Sequence, residues 1–125
     1  MSQLKMIVLR LARNPGAGYP LGDEARGYRI VAPLDGEGLL DLALWRANKE
    51  RCTVARFSPD DDEKADGWLS HHGSHWYFRY DEDDEGPDEP LFRLGEHKLV
   101  VGEYVTVHEA DGDALVYRVA ESHPA

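Results

Sequence analysis

His71, His72 and His75 fall within five residues, around Gly73-Ser74. Imidazole nitrogens completed by a carboxylate are a common set for zinc, nickel or iron, and Asp66 and Asp81 flank the cluster. Folded as a hairpin, this stretch brings His71 and His75 onto paired arms beside the turn and lets them face the same way. His71, His75, Asp66 and Asp81 are therefore the candidate metal set. The spacing matches no His-Glu-x-x-His motif, and histidines at an exposed turn need no ligand. A surface or packing role is the simpler expectation for them.

A second cluster is acidic. Asp81-Glu82-Asp83-Asp84-Glu85-Gly86 opens like a calcium loop, with acids at the first, third and fifth places and glycine at the sixth. The twelfth place needs a bidentate glutamate, and Phe92 stands there instead. What remains is an irregular divalent-cation site or a solvated acidic loop, and the loop is the expectation. Nucleophilic chemistry has less support. Cys52 alternates with Thr53 in an apolar stretch and reads as a buried structural thiol. Ser70-His71 and Ser74-His75 are sequence neighbours, which a strand turns to opposite faces. Gly16-Ala17-Gly18-Tyr19-Pro20-Leu21-Gly22 lacks the Lys-Ser/Thr ending of a phosphate loop, and Asp23-Glu24 would repel an anion.

Charge gives the strongest functional constraint. The chain has 24 acids and 14 bases in 125 residues, a net charge of −10. Residues 58–90 hold twelve of the acids and two of the bases, so the whole excess sits in two acidic segments around one hairpin. Such a region repels nucleic acid and anionic lipid and suits a basic protein partner. Asp81, Glu82, Asp83, Asp84 and Glu85, with the aromatic Tyr77 beside them, are the candidate protein-binding residues. The expected function is a non-enzymatic interaction or regulatory module, with a metal-binding protein or metal-dependent enzyme as the alternative. The sequence requires no cofactor, and a divalent metal is the one candidate. Oligomeric state is left open.

The elements that must position these residues read mostly as strands. Residues 4–13 form the first, with Ile7, Leu9 and Leu11 on one face. Residues 14–27, dense in glycine and proline, read as loop. Tyr28-Arg29-Ile30-Val31-Ala32 is a strand stopped by Pro33. Residues 41–50 read as a short helix capped by Asp41. Cys52 to Phe57 is a strand, followed by an acidic loop over residues 58–66. Two strands flank Gly73-Ser74, a Gly-first pair suited to a tight hairpin, and a second acidic loop covers residues 81–90. A short strand over residues 91–94 follows. Residues 98–101 lead through Gly102, a bulge or bend, into a strand to Glu109. After Asp111-Gly112 the chain returns through Leu115 to Val119. The expected fold is mainly β, a small barrel or sandwich of about seven to eight strands with at most one short helix.

Several patterns occur together over residues 28–120: Trp45-Arg46, Cys52-x-Val54-x-Arg56-Phe57, Gly67-x-Leu69, Trp76-x-Phe78-x-Tyr80, Gly102-Glu103-Tyr104-Val105-Thr106-Val107 and Tyr117-Arg118-Val119. In these the chain resembles a group of short uncharacterised proteobacterial proteins with no established activity. The resemblance implies a single domain in the cytoplasm and carries over no catalytic residue. Composition agrees. One cysteine permits no internal disulfide, no stretch approaches the roughly 18 apolar residues of a membrane span, and the first residues lack a signal-peptide pattern. A single domain over residues 1–125, soluble in the reducing cytoplasm, is expected.

Overall fold

The apolar alternation of Ile7, Leu9 and Leu11 extends over eight strands, and its buried side closes on itself. The computed structural model describes residues 2–59, 65–72, 75–79, 89–92, 98–108 and 114–125. The strands are β1 (Gln3–Leu11), β2 (Asp23–Leu34), β3 (Thr53–Phe57), β4 (Ala65–His72), β5 (His75–Arg79), β6 (Glu89–Phe92), β7 (Tyr104–His108) and β8 (Ala114–Pro124). Each pairs antiparallel with its neighbours in sequence, and β8 pairs with β1, giving a closed barrel. The fold is mainly β, as expected from the alternating pattern.

Register places the core row by row. Ile7 faces Ile30 and Leu9 faces Tyr28 between β1 and β2. Leu69 faces Phe78 between β4 and β5, and Val105 faces Tyr117 between β7 and β8. All of these side chains are buried. Tyr28 meets Phe78 at 4.8 Å and Tyr117 at 5.1 Å between ring centroids, so aromatic rings fill the barrel from side to side. An eight-stranded barrel is narrow enough to be filled by its own side chains, and each large one buried contributes about 1.5–3 kcal/mol.

Several boundaries differ from the expectation. β2 starts at Asp23, within the expected loop 14–27, because Gly27 pairs with Arg10 and Asp23 with Leu11 while the residues between them bulge out. β2 also runs through Pro33 to Leu34. Its ladder with β3 reaches only Ile30, and a strand paired on one side tolerates proline. The expected loop 58–66 gives up Ala65 and Asp66 to β4, and residues 89 and 90 of the expected loop 81–90 belong to β6. Residues 98–103 are not strand. Gly102 takes φ +99° in a turn where the Glu103 amide donates to the Val100 carbonyl, and β7 begins at Tyr104. β8 is longer than the expected return because β1 pairs with it as far as Pro124. The β4–β5 register leaves two residues, 73 and 74, between His72 and His75, as a tight hairpin requires.

The expected helix is present, shortened to α1 (Leu42–Ala47) and followed by a 3-10 turn over Lys49–Arg51. Asp41 caps α1 by accepting from the Leu44 amide at 3.0 Å. It also accepts from the Ser2 hydroxyl, tying the start of the chain to the helix. These bonds, Ser2 first and Leu44 second, hold the Asp41 carboxyl below its ordinary value of 3.8. A folded pKa below the unfolded one stabilises above the unfolded value and is lost as pH falls through the folded one. Asp41→Ala should thus melt below the parent at neutral pH, with the gap narrowing as the pH falls below the ordinary carboxylate value of 3.8. Melting curves across that range test this, and a constant gap would contradict it.

Candidate functional site

Strand parity decides which connections share a barrel end. The connections β1–β2, β3–β4, β5–β6 and β7–β8 all leave one end, and β2–β3, β4–β5 and β6–β7 leave the other. The two expected acidic segments are thus brought to one end, and a third joins them. Residues 60–64 carry four acids and one base, residues 80–88 six acids, and residues 109–113 three acids. Thirteen of the chain's 24 acids therefore belong to connections of a single end. The opposite end is nearly balanced, with six acids and five bases over residues 35–52, 73–74 and 93–103.

At this end the described barrel rim carries arginines, each engaged by described partners. Arg26 pairs with Asp23 at 3.2 Å, donates to the Ser58 hydroxyl at 3.2 Å and lies 5.5 Å from the Tyr19 ring. It thereby ties the β1–β2 connection to the end of β3. Arg10 donates to Glu121 at 3.0 Å and to the Glu24 carbonyl at 2.6 Å, while Arg118 lies 3.9 Å from Glu24. Arg56 pairs with Tyr28 on the ladder and sits 6.0 Å from its ring, a guanidinium on the inward row. Leu21 stands 88% exposed on the β1–β2 connection, an apolar side chain at the acidic end.

The candidate protein-binding residues Asp81, Glu82, Asp83, Asp84 and Glu85 lie outside the described residues. Tyr77 is half-buried on β5, opposite Ser70 and Pro90. The candidate metal residues are dispersed where they are described. His71 pairs with Trp76, whereas His75 pairs with His72, so the two histidines occupy alternate positions of the ladder. The His71 ring packs against Trp76 at 4.6 Å and Trp45 at 6.0 Å. Asp66 is exposed, five residues back along the same strand. An odd spacing puts it on the other face, about 16 Å away. The His75 side chain and Asp81 lie outside the described residues. Among the described residues, no three His, Cys, Asp or Glu side chains gather as a metal site would require.

Cys52 is fully buried, and burial pushes its thiol up to about 11. It stays protonated at neutral pH and is no nucleophile. Barrel sequences with ligand cavities leave interior space, but here the described interior is occupied by Tyr28, Phe78 and their neighbours. No helix among the described residues is long and apolar enough to cross a membrane. The barrel's outer face carries Arg10, Arg29, Asp66 and Arg118, the reverse of the apolar exterior of a membrane-spanning barrel.

Sequence reasoning found the acid runs but missed that residues 109–113 belong with them; Glu109, Asp111 and Asp113 were visible, and the strand count was the missing signal. It also missed Leu21 and the Arg26 junction. Comparison with protein-family models, with curated proteins and with solved structures finds no match.

Proposed function

We propose that the protein is a non-enzymatic interaction module that docks a basic protein surface on its acidic end. The observation that supports this most is the convergence of three acidic connections, residues 60–64, 80–88 and 109–113, on one end of the barrel. Like charges held together speed and select association with an opposite surface, and added salt weakens it. Exposed Leu21 supplies an apolar anchor at the same end, which charge alone lacks. The same field disfavours nucleic acid and anionic lipid. A single cysteine, free and buried, suits a reducing compartment such as the cytoplasm.

The test compares the parent with a variant carrying Asp81→Asn, Glu82→Gln, Asp83→Asn, Asp84→Asn and Glu85→Gln. Both are immobilised and exposed to cell lysate at low salt. Basic proteins should be retained by the parent, released by added salt and missing from the variant, with melting temperatures unchanged. Identical retention by both would remove these residues from the account. A metal-binding reading would need His75 and Asp81, and melting of chelator-treated protein with zinc, nickel, iron(II), manganese or calcium tests it separately.

A further inference from the structure

At the end opposite the acids, a cleft of about 180 Å³ opens between the start of β1, the connection after β2 and the segment before β7. Its lining includes Lys5, Leu34, Glu37, Leu99, Val100 and Ser122. Lys5 is the anomaly. It pairs with fully buried Ala32 and shares the inward row of β1 with Ile7, Leu9 and Leu11. A charge on a core-facing row is costly unless paired, yet the half-buried Lys5 has no hydrogen bond or ion pair among the described residues. Departures from the local rule concentrate at functional positions.

The rest of the lining is complementary in a definite way. Asp35 also lines the cleft; its Oδ1 accepts from the amides of Glu37 at 2.8 Å and Leu39 at 3.1 Å, which orients the carboxylate and leaves its charge in place. The Glu37 carboxylate is exposed and makes no ion pair with Lys5 or any other described residue. Leu34 and Leu99 form a buried apolar floor, with Val100 and Val101 exposed at the rim. Gly38, at φ +87°, lets the wall close on Val100; a Cβ there would lie 2.9 Å from the valine methyl. The cleft therefore offers one cation, Lys5, and two carboxylates, Asp35 and Glu37, beside an apolar surface, in the space of roughly six water molecules.

We propose that this cleft binds a small zwitterion with an apolar side chain, of the α-amino acid class. The ligand carboxylate meets Lys5, its ammonium faces the carboxylates of Glu37 and Asp35, and its side chain covers Leu34, Leu99 and Val100. The proposal stands independently of the acidic end.

The probe is L-leucine, titrated into the full chain and followed by backbone amide NMR. Saturable shifts are expected at Gly36, Gly38, Leu99 and Val101, with half-saturation on the order of 1 mM. The analogues 4-methylpentanoate, which lacks the ammonium, and 3-methylbutylamine, which lacks the carboxylate, should each bind about fivefold more weakly. Lys5→Met should weaken leucine about fivefold, and Glu37→Gln should reduce the preference for leucine over 4-methylpentanoate. Absence of saturable shifts up to about 50 mM leucine, unchanged binding in Lys5→Met, or tighter binding of 4-methylpentanoate than of leucine in the parent would each overturn the proposal.

Discussion

Gly27→Ala is expected to lower the melting temperature by about 10–20 °C, a loss of about 3–5 kcal/mol from a fold of this size. A Cβ at position 27 would fall 1.8 Å from the Leu9 carbonyl oxygen and 2.8 Å from both the Leu9 carbonyl carbon and the Phe57 ring. Backbone cannot yield as a flexible side-chain tip does, so the longest ladder in the barrel would have to spread. The close approach follows from the bulge beside it: β1 and β2 slip register between Arg10 and Leu11, and bulges bend and twist a strand sharply. Phe57 uses the space the glycine leaves, lying 5.5 Å from the Arg10 guanidinium and 5.3 Å from that of Arg29. Differential scanning calorimetry of the parent and variant measures the effect. A variant that melts with the parent would mean that β1 and β2 do not approach in this way.

The second large effect is expected at Trp45. Its indole closes the barrel at the α1 end, edge-on to Trp76 at 5.6 Å and close to His71. Its Nε1 donates to the Leu69 carbonyl at 2.9 Å, and the Lys49 ammonium lies 4.9 Å from its ring. Trp45→Ala opens a cavity above Leu69 and should cost about 3–5 kcal/mol. Trp45→Phe keeps most of the packing and removes the buried hydrogen bond, at about 1–2 kcal/mol. Chemical denaturation of the three proteins separates these contributions. Equal losses for both variants would mean that the hydrogen bond, not the packing, secures this end. His71 is part of this packing, so its ring has a structural occupation without any metal.

Much of the strand pattern was legible because it is local. Ile7, Leu9 and Leu11 recur at every second position of one strand, and the β4–β5 hairpin announces itself through Gly73-Ser74 between two alternating arms. Asp41 and the helix formers after it marked α1. What was not legible depends on partners distant in sequence. Gly27 reads as loop until Leu9 is seen beside it. The run Lys98-Leu99-Val100-Val101 has strand composition, but Leu99 is buried because its amide donates to the Gly38 carbonyl at 2.8 Å, docking a loop rather than extending a sheet. β8 reaches Pro124 only because β1 lies beside it. At the candidate site the charges were visible, whereas their convergence needed the parity of the strands. The histidine cluster shows the opposite case: spacing suggested a shared site, and register assigns His71 to an aromatic core.

The most direct test of the acidic-end account is an amide NMR titration of the full chain with a synthetic peptide rich in arginine and lysine. The account predicts saturable shifts concentrated at the acidic end, at Arg13 to Glu24, Phe57, Ser58, Arg79 and Ala114. They should weaken steadily with salt and be largely lost when Asp81 to Glu85 are neutralised. Shifts concentrated instead on α1 and on Leu99 to Gly102, or shifts unchanged by the neutralised variant, would contradict it.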